Sequence, residues 1–149
     1  MKKYFLLFVI LTIALSSCKK YDVNKQNAQD DATIQTYLKT NNITAVKDPS
    51  GLYYQIITPG GNTRPGASSV VNVNYVGSRL DGSVFDQNLN ALLALSQTIQ
   101  GFQIGVPKIG TGGEIKLFMP SSLGYGNTDT GPIKANTILM FDIKLLGFN

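Results

Sequence analysis

Tyr75, Phe85 and Asp86 are the side chains whose types and spacing most directly suggest chemistry. Two aromatic rings and a carboxylate, brought together by a chain reversal between them, can line one wall of a small apolar site. They can equally be the core aromatics of an ordinary solvated hairpin, and the stretch alone fits both readings. The rest of the composition narrows the chemistry. The chain has no histidine, which excludes Ser-His-Asp triads, histidine metal ligands and imidazole acid–base catalysis. Its single cysteine, Cys18, ends an N-terminal leader, so the mature domain has neither a thiol nucleophile nor a disulfide. Asp81, Asp86, Asp129 and Asp142 lack the spacing of a calcium loop. Gly110-Thr111-Gly112-Gly113 joins no strand to a helix, so it is not a phosphate cradle. What is left is an aromatic pocket with one or two polar groups. Such a site binds an apolar side chain and assists a reaction that needs no covalent step.

The elements that must position these residues follow from periodicity. In Val70–Tyr75, Val71, Val73 and Tyr75 alternate with Asn72 and Asn74, the period of a half-buried strand. Asp81-Gly82 predicts a tight primed turn, which places Phe85 and Asp86 just beyond a hairpin. The run from Gln87 to Leu95 fits a short helical turn or an irregular edge strand. Ile99, Phe102 and Val106 predict a short helix with one buried face, stopped near Pro107. Strands are predicted over Leu52–Thr58, over Glu114–Met119, where Ile115, Leu117 and Met119 alternate with Glu114, Lys116 and Phe118, and over Leu139–Leu145. In the last, Leu139, Phe141, Ile143 and Leu145 point inward and Asp142 and Lys144 outward. The long glycine-containing loop over 120–135 carries Tyr125 between Gly124 and Gly126, an exposed aromatic on a flexible segment. Upstream, Asp30 or Asp31 is the expected cap of a short helix carrying Ile34, Tyr37 and Leu38 and ending at Asn41-Asn42. Many short strands around one central helix make an antiparallel α+β domain.

Composition and the N-terminus bound the setting. Of 149 residues, 43% are hydrophobic and 15% charged, the balance of one globular domain. The net charge of +4 is scattered, with no basic stripe, so nucleic acid is not an expected partner. Lys2 and Lys3 precede an apolar run over Tyr4–Leu15, shorter than the roughly 20 residues of a membrane span, as in a secretory signal. Leu15-Ser16-Ser17-Cys18 has the form of a bacterial lipobox. Residues 1–17 are therefore expected as a signal peptide, Cys18 as the lipidation site, and 18–29 as a polar tether. The short helical segment is expected over 30–46 and the folded domain over 47–149. Lipid on Cys18 implies a cell-envelope protein anchored to a membrane. Lys19 after the cysteine favours the outer membrane over the inner.

Six motifs, in register and without large insertions from about Leu52 to Leu146, resemble the FKBP-type peptidyl-prolyl cis-trans isomerases. They are Val-Asn-Tyr-Val-Gly (73–77), Asp-Gly-Ser-Val-Phe-Asp (81–86), Ile-Gln-Gly-Phe (99–102), Gly-Val-Pro-Lys-Ile-Gly-Thr-Gly-Gly (105–113), Ile-Lys-Leu-Phe-Met-Pro-Ser-Ser-Leu-Gly-Tyr-Gly (115–126) and Ile-Leu-Met-Phe-Asp-Ile-Lys-Leu-Leu (138–146). The resemblance implies a curved antiparallel half-barrel wrapped around one short helix. It implies a proline pocket formed by Tyr75, Phe85, Asp86, Ile99, Phe102, Tyr125 and Phe141, with Thr98 and Ile133 as further substrate-binding residues. The Ile99 N–H and the Tyr125 hydroxyl would bond peptide carbonyls, Phe102 would be the floor, and Asp86 would orient Tyr75 rather than act as a base. It implies an isomerase that needs no cofactor and acts on proline-containing unfolded or nascent envelope proteins. It also implies a pocket that macrolides can enter. A non-catalytic chaperone or peptide-binding module on the same fold is the alternative. Phe102 stands where most members have tryptophan, Thr98 replaces the usual valine, and the segment over 87–97 is shortened. These departures bear on peptide preference and macrolide affinity more than on fold.

Overall fold

The structure, a computed structural model, describes residues 20–149. The segment expected as a signal peptide and the expected lipidation site, Cys18, lie outside the described residues. The elements are α1 (Val23–Thr40), β1 (Val46–Lys47), β2 (Tyr53–Thr58), β3 (Val70–Ser78), β4 (Val84–Ala94), α2 (Gln100–Gly105), β5 (Glu114–Met119) and β6 (Leu139–Phe148), with three short 3₁₀ turns. The six strands form one antiparallel sheet in the order β1-β2-β5-β6-β3-β4.

Alternation decides what each face does. Leu139, Phe141, Ile143 and Leu145 of β6 are buried on the concave side, while Asp142 and Lys144 are exposed. α2 lies across that concave face and can come close because Gly101 and Gly105 face β5. A Cβ on Gly105 would stand 2.6 Å from Leu117, and one on Gly101 would overlap Met119. Phe102, Val106 and Ile109 then fill the space between helix and sheet. Each such side chain contributes roughly 1.5–3 kcal/mol by leaving water.

The convex face has a second, smaller core. Ile34 and Leu38 of α1 pack on Tyr53, Phe118 and Ile138. Phe118 lies on the face opposite Ile115, Leu117 and Met119, as the β5 alternation predicts, and is buried there under α1 at 2% exposure. A covering helix makes an apolar residue acceptable on both faces at that end of the strand.

The start of α1 differs from expectation. Asp22, not Asp30 or Asp31, caps it, accepting the Asn24 and Lys25 N–H groups at 3.0 and 3.2 Å. Residues 23–29, expected as tether, are its first two turns. The segment contains no glycine or proline to stop a helix, and Asp30, Ile34 and Leu38, four apart, form the buried stripe. The helix ends at Asn41, and Asn42 takes φ +54°, as the Asn-Asn pair predicts.

The β3–β4 connection is a wider turn than the predicted two-residue one. Only Gly82 has positive φ (+83°). The Gly82 N–H donates to Arg79 O and the Arg79 N–H to Ser83 O, while Asp81 Oδ1 accepts from the Ser83 N–H. The ambiguous segment after it is strand: β4 is an edge strand. It bulges where Asn90, at φ +57°, donates its N–H to Asn74 Oδ1.

Candidate functional site

β3, β4, β6, α2 and the loop over 120–135 converge on one cleft on the concave face. Its volume is about 310 Å³, and Tyr75, Asp86, Leu93, Gln97, Thr98, Ile99, Phe102, Tyr125 and Phe141 line it. The floor is aromatic and dense. Phe102 and Phe141 meet edge to face at 4.8 Å between ring centroids, and Tyr75 stands 6.0 Å from Phe102 and 6.1 Å from Phe141. Phe102 is 4% and Phe141 5% exposed, so their rings present little more than one edge to the cleft.

The polar groups sit around the rim. The Tyr75 hydroxyl donates to Asp86 Oδ2 at 2.7 Å. Burial first, and then this bond and the Asp86 charge, push the Tyr75 hydroxyl up to about 12, so it stays a proton donor at neutral pH. Ile99 is the residue before α2, and its N–H has no backbone or side-chain acceptor among the described residues. Thr98 lines the cleft with its hydroxyl already engaged, donating to Leu95 O at 2.7 Å. The Tyr125 side chain is 37% exposed at the mouth. No group of three or more Cys, Asp or Glu side chains among the described residues is arranged to hold a metal.

Seven of the nine residues expected at the site thus line one cleft. Phe85 does not: it stands behind Phe141, at 5.6 Å and edge to face, as a second layer of the wall. Ile133 is buried in the main core at 4% exposure and is absent from the lining. Close packing here depends on Gly77, where a Cβ would stand 2.7 Å from the Phe141 ring and 2.8 Å from the Phe85 ring.

Sequence reasoning missed Leu93, Gln97 and Arg79. Leu93 had a signal, since Ala91, Leu93 and Leu95 alternate toward the concave face, but the bulge at Asn90 interrupts the pattern. Arg79 carried none. Its Nη2 donates to Pro132 O at 2.6 Å and its guanidinium lies 5.7 Å from the Phe85 ring, joining the hairpin to the 120–135 loop. That loop is tied internally, not merely flexible. Asp129 accepts the Ala135 N–H at 2.9 Å and pairs with Lys134, and the Asn136 N–H reaches Gly126 O at 2.7 Å.

A half-barrel on a short helix with an aromatic cleft between them defines a class of proteins, and comparison with known proteins identifies it. The family model for the FKBP-type peptidyl-prolyl cis-trans isomerases matches residues 61–146. The chain is 40% identical over 101 residues to the FKBP-type peptidyl-prolyl cis-trans isomerase FkpA of Aeromonas hydrophila, covering 65% of this chain and 38% of that protein. It is 33% identical over 139 residues to the outer membrane protein MIP of Legionella longbeachae, covering 89% of this chain and 60% of that one. Among solved structures, the crystal structure of FkpA from Escherichia coli superposes with a TM-score of 0.74 at 31% identity, over 85% of this chain and 62% of the other. A peptidyl-prolyl cis-trans isomerase from Pseudomonas syringae gives 0.71 at 25% identity, over 87% and 98%. The chain belongs to the FKBP-type peptidyl-prolyl cis-trans isomerase family. It spans between 38% and 60% of the length of these two curated relatives.

Proposed function

We propose that this protein is a peptidyl-prolyl cis-trans isomerase of the cell envelope, held to the membrane by lipid on Cys18, that assists the folding of exported proteins. The observation that carries the reading is the concave cleft. Its aromatic floor shares the lining with Tyr125 and with Ile99, whose N–H has no acceptor among the described residues.

The chemistry follows from the amide. Rotation about C–N breaks conjugation and costs about 18–20 kcal/mol. X-Pro bonds populate both isomers and exchange over tens to hundreds of seconds, slowly enough to limit folding. The twisted transition state has lost its charge separation and is less polar than the planar amide. A water-poor aromatic site therefore favours it over the ground state, which is the condition for catalysis. In this reading the proline ring rests on Phe102 and Phe141. The Ile99 N–H and Tyr125 hydroxyl hold the flanking carbonyls in a turn that leads toward the twisted form. Asp86 fixes the Tyr75 hydroxyl and acts as an oriented dipole; no proton is transferred. Substrates are X-Pro segments of unfolded envelope proteins, and macrolides are candidate competitors.

A protease-coupled isomerisation assay on X-Pro peptides tests the activity. The full chain is expected to accelerate exchange, and Phe102→Ala to remove most of that acceleration. A rate equal to the uncatalysed one for the unmutated protein ends the enzyme reading. For the anchor, labelled fatty acid is expected on the wild type and absent from Cys18→Ala; lipid persisting on the variant refutes it.

One observation supports the chaperone alternative. Outside the cleft, Ile57, Val76 and Leu89 flank a second groove of about 360 Å³ on the convex face, with Leu89 75% exposed. Suppression of client aggregation that survives Phe102→Ala and is lost in Leu89→Glu selects that reading.

A further inference from the structure

Asp30 and Ser121 are the buried polar side chains among the described residues, at 3% and 0% exposure, and they are each other's partners. Asp30 projects from the middle of α1, upstream of the segment matched by the family model. Its Oδ2 accepts both the Ser121 N–H, at 2.7 Å, and the Ser121 hydroxyl, at 2.6 Å, while Oδ1 accepts from Gln26 at 2.8 Å. A buried carboxylate with this many donors is held firmly, since any loosening strands a charge out of water.

The carbonyl of the same Ser121 points the other way. It accepts the Gly124 N–H at 3.0 Å and the Gly126 N–H at 2.8 Å. Those are the two residues that flank Tyr125 at the mouth of the cleft. One residue, Ser121, is thus clamped at its N–H and hydroxyl by α1 and at its carbonyl by the loop that presents Tyr125. The other contacts of α1 with the sheet run to different elements: Asp31 accepts from the Tyr53 hydroxyl at 2.8 Å and pairs with Lys47, and Ile34 and Leu38 pack on Tyr53, Phe118 and Ile138.

We infer that Asp30 is a positioning residue for the prolyl site, acting through Ser121 to fix Tyr125, so that α1 forms part of the active-site support. The inference rests on the isomerase reading for its catalytic consequence, but the relay itself is a property of the fold. It predicts that Asp30 matters to catalysis only through Tyr125.

A double-mutant cycle on the full chain tests this. Asp30→Ala is expected to lower kcat/KM about tenfold to a hundredfold, as small misplacements of a binding group do. In a Tyr125→Phe background, which already lacks the hydroxyl, Asp30→Ala is expected to add less than about a twofold loss. Independent, multiplicative losses overturn the inference. Should Asp30→Ala fail to fold, Ser121→Ala, which removes the hydroxyl and keeps the N–H, runs the same cycle with a smaller first step. A second readout needs no activity. Amide exchange at Gly124 and Gly126 is expected to quicken roughly tenfold in Asp30→Ala and to stay unchanged in Ile34→Val, which loosens α1 without touching the relay. Equal quickening in both variants reduces Asp30 to general support of the helix and overturns the inference. An inactive wild-type chain whose glycine amides still answer to Asp30 refutes the isomerase reading and leaves the relay standing.

Discussion

The concave and convex faces of the sheet are built from the same strands, yet they solve opposite problems. β5 sends Ile115, Leu117 and Met119 to the concave core and Phe118 to the convex one. On the concave side a six-residue helix is drawn tightly onto the sheet by two glycines. That leaves an open cleft between aromatic rings that pack on one another at 4.8–6.1 Å. On the convex side an eighteen-residue helix closes one end of the sheet, while the other end keeps a groove bordered by exposed ion pairs, Lys116–Asp142 and Lys144–Glu114. Burial alone does not separate the two faces, since Phe118 is as buried as Phe141. The difference is whether a buried ring keeps an edge facing open space.

A matched pair of substitutions tests that distinction with the largest expected effect. Phe141→Leu and Phe118→Leu remove the same atoms from equally buried sites, and each is expected to cost about 1–3 kcal/mol in chemical denaturation. Only Phe141→Leu is expected to cut kcat/KM, by about tenfold or more, because it alone reshapes the proline-sized floor. Equal activity in the two variants would break the comparison.

The rim offers a smaller, spectroscopic contrast. The raised value of Tyr75, about 12, has burial as its first cause and the Asp86 bond and charge after it. In a tyrosinate absorbance titration Tyr75 is expected to ionise well after the exposed phenols, and Tyr53, raised by burial and then by its Asp31 bond, after them as well. Because the folded-state value lies above the unfolded one, this contribution to stability is whole below about pH 10 and is lost as pH climbs toward 12. Asp86→Asn is expected to bring the late phase earlier without returning it to the ordinary value, since burial remains. A late phase that persists unchanged in Tyr75→Phe would assign it to another tyrosine and separate the rim pair from the cleft.

How far the sequence could carry this comparison depended on the range of the interactions. Local periodicity made β3, β6 and α2 legible, and with them Val71, Val73, Phe102 and Phe141 as core. Tyr75 and Asp86 were legible as partners because one hairpin joins them. The bulged edge strand was not, because a residue with positive φ at Asn90 breaks the alternation that marks a strand. The alternation placed Phe118 opposite Ile115, Leu117 and Met119, but not its burial, which needs a covering helix whose first two turns have the polar composition of a tether. Phe85 and Ile133 were expected in the lining and are absent from it: Phe85 packs edge to face on Phe141, and Ile133 is buried in the main core, contacts that no local pattern encodes. The Asp30–Ser121 pair spans 91 positions and has no motif, so only the folded chain brings it into view.

The smallest effect comes from the ion pairs, and it again divides the molecule. Asp48 joins the turn after β1 to Lys108 beyond the end of α2, at 2.7 Å, with the two side chains only 17% and 22% exposed. The Lys108 ammonium, and then hydrogen bonds from Ser50, lower Asp48 from 3.8 to about 2. With the folded-state value below the unfolded one, this contribution is present above about pH 4 and disappears as pH falls toward 2. Lys144–Glu114 on the convex face is 49% and 41% exposed, and such pairs are worth about 0–1 kcal/mol. Urea melts at pH 5, 4, 3 and 2 are therefore expected to show a shallower acid slope for Asp48→Asn than for the wild type, and an unaltered slope for Glu114→Gln. The reverse ranking would mean that the exposed convex pair, and not the tie at the end of the central helix, carries the acid sensitivity of the fold.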